Sequence, residues 1–291
     1  MKRVIVVALA LIASGAGGVQ ALHYNGLAPR VLGVLRGGDF AYAQRAGKRP
    51  ATPAAPVRPA TPRTERVVPF KIGETLTYDV SWSSYITAGT AVATVKEKKP
   101  SFNSRAYYIV AEGRPTALVS KLYSLYYKLD TLLDSYTLLP QRGSVYSEEG
   151  SRHRFKVTRF DHAAHKAFFE YQSTGTARDT FTVPPYTQDA LSAMYVLRAV
   201  PLKAGDRMTM PVSDDGSNYK LQVDIGPSER VNTPFGEAHA WKLKLAIFDA
   251  TGHALGRNVA MWISDDPRRL PVKVQGELPI GSFNLNLREV K

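Results

Sequence analysis

From Phe70 onward, apolar and polar positions alternate with a period of two. Leu76, Tyr78, Val80 and Trp82 interleave with Thr75, Thr77, Asp79 and Ser81. Side chains two apart share one face of a strand, so this is the pattern of a half-buried β-strand. Thr90–Val95 repeats it after Gly89, and Tyr107–Val110 follows. Further runs lie near Ser144–Tyr146, Arg154–Phe160, Ala167–Tyr171 and Thr180–Val183. Towards the C-terminus come Lys220–Ile225, Ala238–Phe248, Asn258–Ser264, Leu270–Gln275 and Gly281–Leu287. Turn-forming clusters punctuate them: Asp161-His162-Ala163-Ala164, Asp214-Asp215-Gly216 and Asp265-Asp266-Pro267. Short strands with polar turns predict a mainly β fold, a long curved antiparallel sheet or half-open barrel.

Two segments carry helical spacing instead. Leu118, Val119, Leu122, Leu125 and Tyr126 predict an amphipathic helix over about 116–127, with a strand as the competing reading at its end. Ala190, Leu191, Met194, Tyr195, Leu197 and Arg198 predict a second helix, with Thr187 as N-cap and Pro201 as the stop. Asp189 reads as a first-turn acid favoured by the helix dipole, and Arg198 near the other end follows the same logic. A curved sheet with an apolar concave face needs such helices as a lid or plug.

The first quarter of the chain is organised differently. Met1-Lys2-Arg3 precedes the apolar run Val4–Ala13, and small residues occupy 14 to 21, which is the pattern of a secretory signal peptide. Val19-Gln20-Ala21 and Ala41-Tyr42-Ala43 both offer small residues for cleavage, so the cut is expected between 21 and 43. An uncleaved anchor built on Val4–Leu22 is the alternative. Residues 44–69 hold prolines at 50, 53, 56, 59, 62 and 69 among Ala, Thr, Arg and Lys, an extended basic linker. The expected organisation is therefore a signal peptide with its flank (1–43), a linker (44–69) and one β-rich domain (70–291), placed in the periplasm.

Charge sharpens this division. The 291 residues carry a formal +13. Residues 1–69 contain ten Lys or Arg and two acids, leaving +5 on the other 222 residues. So mild an excess on the body gives no footprint for nucleic acid. The basic linker can instead sit near an anionic envelope surface. The absence of cysteine excludes disulfides, a thiolate metal site, a cysteine nucleophile and thiol lipidation.

Candidate chemistry is sparse. No G-x-S-x-G, Walker loop or H-E-x-x-H occurs. His162-x-x-His165 is the one close histidine pair, and zinc needs three or four convergent ligands, so no metal and no cofactor is expected. Glu148-Glu149, Asp214-Asp215 and Asp265-Asp266 are adjacent acids, which extended backbone points apart; at turns such acids are commonly solvated. Asp265 and Asp266 with Arg268 and Arg269 read as pairs fixing strand register, or as guanidinium forks for an anionic headgroup. Trp82, Tyr126, Tyr195 and Trp262 are the aromatics expected to line an apolar groove, with ordinary sheet core as the blander reading.

Three segments carry a family resemblance. Phe70-x-x-Gly73-Glu74-x-Leu76-x-Tyr78-x-Val80-x-Trp82 followed by Gly89 resembles the opening of the DUF3108 family of exported bacterial proteins. Asp189–Tyr195 with Leu197-Arg198, then Pro201-Leu202-x-x-Gly205, is similar to its central helix. Trp262–Asp266 with Arg268-Arg269-Leu270-Pro271-Val272 and Ile280-Gly281-Ser282 resembles its closing hairpin. The resemblance implies export to the envelope and a β-rich fold, and names no chemistry. A looser likeness is to half-open β-sheet envelope carriers of the LolA and LolB type. The expected function is a non-enzymatic envelope protein binding a hydrophobic or amphipathic ligand such as a lipid, through Trp82, Tyr126, Tyr195, Trp262, Arg268 and Arg269. Docking on an envelope protein or peptidoglycan, and hydrolysis of envelope polysaccharide, are the alternatives.

Overall fold

A computed structural model describes residues 63–82, 86–122, 124–278 and 281–291. The expected signal peptide and most of the linker lie outside them. The first half of the body is an antiparallel meander of eight strands: β1 (Thr75–Trp82), β2 (Ile86–Ser101), β3 (Ser104–Pro115), β4 (Leu125–Asp134), β5 (Pro140–Glu149), β6 (Arg152–Asp161), β7 (Lys166–Gln172) and β8 (Thr176–Thr182). A short helix α1 (Ala117–Leu122) joins β3 to β4, and α2 (Ala190–Ala199) follows β8. The second half is β9 (Arg207–Asp214), β10 (Ser217–Thr233), β11 (Gly236–Phe248), β12 (Ala254–Ser264), β13 (Pro271–Leu278) and β14 (Gly281–Val290). β14 pairs with β1, so the two meanders form one 14-stranded sheet with β8 and β9 at its edges. The mainly β, unclosed antiparallel architecture expected from the alternation is what the chain adopts.

The ladder does not close, yet the edges meet. Lys156 on β6 reaches Asp215 in the β9–β10 turn at 2.7 Å. Asn218 Nδ2 donates to Thr182 O at the end of β8 (2.8 Å). A single parallel bridge joins Gln188 to Val212 on β9. Gly216, at φ +73, lies so close to the Phe169 ring that a Cβ would come within 3.1 Å of it. The sheet is therefore curled, and its sides touch along a seam of side chains.

The concave face is apolar. Tyr78, Ala91, Ala93, Ile109, Leu129, Leu221, Val223, Leu243, Met261 and Leu285 belong to one buried cluster. Helix α2 lies within that cluster, buried from Ala190 to Arg198. A helix buried all round is a plug rather than a lid. Its N-cap is Asp189, not Thr187: the Asp189 carboxylate accepts from Ser192 N at 2.8 Å, and Asp189 N donates to Ser192 Oγ at 2.9 Å. Thr187 Oγ1 instead donates to Pro184 O, closing the preceding turn. This capping box satisfies orphan amides that burial would otherwise leave unpaired.

The first helix is shorter than its spacing predicts. Leu125 and Tyr126 belong to β4, where Leu125, Tyr127 and Leu129 are buried and Tyr126, Lys128 and Asp130 alternate with them. Pairing of Leu125 and Tyr126 with Glu149 and Glu148 on β5 outweighs a local helical pattern.

Candidate functional site

Among the described residues, two neighbouring spaces lie between α2 and the sheet. The first, about 20 Å³, lies inside the seam and sets a cluster of polar side chains among apolar walls. Its side-chain lining includes Lys156, Thr158, Phe169, Asp189, Ser213, Asp214 and Asp215. The second is an apolar crevice of about 30 Å³ along α2, lined by Tyr78, Ala93, Met194, Met261, Val274 and Leu285 among others. Leu129, Ala190 and Leu191 wall both spaces, so they are neighbours under the first turn of the helix.

Each polar group has a backbone reason for its place. Asp189 is fixed as N-cap, and Thr131 Oγ1 on β4 donates to its Oδ2 at 2.5 Å. Gly143 on β5 is what lets the carboxylate approach, since a Cβ there would sit 3.0 Å from Asp189 Oδ2. Burial pushes the Asp189 carboxyl up to about 6, against the downward pull of Ser192 N and Thr131. Asp214 ends β9 beside a turn whose Asp215 and Gly216 both have positive φ. It is buried, and its Oδ2 has no hydrogen-bond partner among the described residues. Burial holds Asp214 well above the usual carboxylate range; Lys156 opposes this, and Asp215 and Asp189 add to it. Ser213, 2% exposed, likewise has an Oγ without a partner. Asp214 thus departs from the solvated turn acid expected of its sequence, because the curl of the sheet folds its turn onto β6 and β7. Asp130 is held by Arg142 and Ser144, on the face of β4 opposite Leu129 and Thr131.

A second buried polar cluster anchors the other end of α2. Arg198, 1% exposed, donates from Nη1 and Nη2 to both carboxylate oxygens of Glu74 (2.6 and 2.9 Å). Its Nε and Nη2 also donate to the carbonyls of Arg269 (3.0 Å) and Arg268 (3.1 Å). Its guanidinium lies 5.4 Å from the Phe70 ring and 5.2 Å from the Tyr195 ring. Burial would lower the Arg198 pKa, but Glu74 outweighs it and holds the group charged. Arg198 is a cross-link, then, and not a solvated helix-end cation: its side chain meets the start of β1 and the β12–β13 turn at once.

The residues expected at a binding site fall in separate places. Tyr195 is fully buried on α2, edge-to-face with Phe70 at 5.0 Å. Trp262, 4% exposed, donates from Nε1 to Glu229 (2.6 Å) between Lys242 and Lys273. It faces away from its neighbour Met261, which lines the crevice. Tyr126 donates to Glu112 under the Arg114 guanidinium, and burial is the first cause raising its hydroxyl to about 12. Arg268 pairs with Asp266 inside its own turn at 2.8 Å, while Asp265 accepts from Ser228 Oγ at 2.7 Å. The expected cross-strand pairing of these acids with Arg268 and Arg269 is not formed; the turn is too tight for it. Arg269 lies beside Arg198 through its carbonyl. The Trp82 side chain lies outside the described residues. Among the described residues, the Tyr195 ring and the backbone carbonyls of Arg268 and Arg269 meet around Arg198, while the Arg268 side chain turns to Asp266.

The acidic and histidine pairs also disperse. Glu149 accepts from Tyr127, and Glu148 accepts from Tyr146 at 2.7 Å. His162 binds Pro140 O and stacks on Phe160. Among the described residues, no three carboxylate or imidazole groups converge to hold a metal ion. Asp214 and Ser213 were missed as site residues because nothing local marks them as buried; the sole sequence signal was a turn-forming acid pair ending a strand.

This fold and site define a class: a barrel-like, unclosed β-sheet domain plugged by its own helix, with a polar pocket at the seam. The chain belongs to the DUF3108 family, a protein family of unknown function, whose model matches residues 77–288. Among solved structures, it is similar to a β-barrel-like protein of the DUF1849 domain of unknown function from Brucella abortus, at 12% identity and a TM-score of 0.49, covering 78% of this chain and 98% of that one. A protein of Bacteroides fragilis described as exported, with a YmcC-like fold, aligns at 14% identity and a TM-score of 0.34 over 78% of this chain and all of that one. A protein of Parabacteroides distasonis described as a lipoprotein aligns at 10% identity and a TM-score of 0.33, with the same coverage. A search of curated proteins finds no significant match.

Proposed function

We propose that this domain is an exported, non-catalytic envelope protein that binds an amphipathic ligand beneath α2. The observation that carries this reading is the adjacency of the two spaces. An apolar crevice and a polar pocket share Leu129, Ala190 and Leu191 as walls. A ligand with an apolar chain and a polar end fits that order, chain along α2 and end at the seam. Both spaces are small, so α2 moves outward to admit a chain; Met194 and Met261 beside it repack at low cost. Export rests on the N-terminal pattern of basic residues, apolar run and small residues.

Gentle purification followed by native mass spectrometry and lipid extraction tests it. The protein should carry lipid or take up an apolar fluorescent probe. Ala93→Leu, which fills the crevice, should reduce uptake. A folded protein that carries no ligand and takes up neither lipid nor probe overturns the reading.

One observation favours a second reading, docking on an envelope protein by strand addition. β8 is exposed along Thr176–Thr180, and its outer edge has no ladder partner among the described residues. Photo-crosslinking in cells from Thr180 should then recover one dominant partner; a smear of weak products speaks against it.

A further inference from the structure

Resting on the reading that the space beneath α2 takes an amphipathic ligand, we propose that its polar end is a primary ammonium group, held in the seam pocket by Asp214. The charge inventory of the pocket points there. Of the four acids that line it, Asp130 is taken up by Arg142 and Ser144, which leaves Asp189, Asp214 and Asp215 against one lining cation, Lys156. Lys156 is engaged with Asp215 at 2.7 Å. Asp189 is hydrogen-bonded by Ser192 and Thr131 but has no cationic partner. Asp214 Oδ2 has no hydrogen-bond partner among the described residues, and Asp214 belongs to the wall of the same cavity. A buried acceptor left unpaired is costly, and a donor carrying positive charge satisfies it best.

Size narrows the chemistry. A cavity of about 20 Å³ has room for one water-sized group. A primary ammonium fits and offers three donors. A trimethylammonium group is too large and donates nothing. A divalent metal needs more convergent ligands than this pocket presents. Asp215, in the wall of the pocket, has a side chain that is 40% exposed.

The same ammonium chemistry occurs on a free amine and on an ethanolamine phospholipid, and the test separates them. Full-length protein is titrated with ethanolamine hydrochloride and, as the matched control, choline chloride, reading the unfolding midpoint. It is then mixed with vesicles of phosphatidylethanolamine in phosphatidylcholine, or of phosphatidylglycerol in phosphatidylcholine, and bound lipid is identified by native mass spectrometry. Ethanolamine should raise the midpoint and choline should not. Asp214→Asn should weaken the response at least about tenfold, the scale of one lost charged hydrogen bond. Lys156→Met, which removes the competing cation, should strengthen it, a change in the opposite direction that a merely damaged fold cannot mimic. Selective uptake of the ethanolamine lipid assigns the group to a headgroup; a response to free ethanolamine without lipid uptake assigns it to a soluble amine and removes the carrier reading alone. Equal responses to ethanolamine and choline, or a wild-type response in Asp214→Asn, overturn the ammonium assignment. If lipid is nonetheless bound without headgroup preference, the amphipathic-ligand reading stands and only this inference falls.

Discussion

At the scale of single residues, the molecule turns on two buried polar groups at the two ends of one helix. Arg198 and Glu74 bind each other inside an apolar cluster, so neither can be lost alone without stranding a charge. Arg198→Met or Glu74→Gln is expected to cost about 3–5 kcal/mol. The pair of changes together should cost less than their sum, and urea unfolding of the double-mutant cycle measures the difference. Asp189 makes a prediction about pH. Its carboxyl is raised by burial from an ordinary 3.8 to about 6, so the fold prefers the neutral form. Its contribution is fully present below pH 4 and is lost as pH rises to about 6, on the order of 3 kcal/mol in all. Asp214, raised by the same cause, acts in the same direction. Asp134 and Asp266 have lowered values, so their losses begin only below the ordinary carboxylate range. The urea midpoint should therefore fall from pH 4 to pH 6, and Asp189→Asn, an equally good N-cap, should flatten that slope. A wild-type midpoint that climbs over this interval would contradict the burial of these groups. Neither cluster was legible beforehand. Arg198 and Asp189 look like ordinary helix-end charges, and their partners Glu74 and Thr131 lie 124 and 58 residues away.

At the scale of elements, α2 explains more than any strand. The spacing of Ala190, Leu191, Met194 and Leu197 with a proline stop made it readable as a helix. Its burial on every side was not readable, because the sequence shows one apolar stripe and leaves Ser192 and Arg198 looking solvent-facing. Leu197, 1% exposed, packs in the concave cluster; Leu197→Ala is expected to destabilise by about 2–5 kcal/mol, read as a shift in urea midpoint. Gly143→Ala pushes a methyl towards the Asp189 cap. It should lower stability and, by forcing the carboxylate aside, change the pH slope above; a fully additive, pH-independent effect would show that the two do not touch. The overlong first helix has the opposite lesson. Helical spacing from Leu118 to Tyr126 was real, but pairing with β5 took Leu125 and Tyr126 into β4.

At the scale of the whole molecule, the long ladder runs from β8 through the β1–β14 junction to β9. Stability should follow position in it. Amides of β1, β13 and β14, covered inside and paired on both sides, should exchange slowest with deuterium. Those of β8, exposed and paired on one side, should exchange fastest among the strands. Equal protection at the edge and the centre would contradict an unclosed sheet. The seam matters to function as well as shape: it places Lys156, Asp214 and Asp215, from both halves of the chain, around one pocket.

The sequence alone determined the mainly β class, most strands, the central helix, the basic N-terminal quarter and the family. All of these depend on periodicity, composition or contiguous residues, which a linear chain displays. The tertiary structure decided which acids are buried, which arginine is a cross-link, and that the polar pocket adjoins the apolar crevice. Those properties arise when β9 and β6, neighbours in space across the seam but not in the ladder, are brought together, and no local pattern encodes the curl that does it.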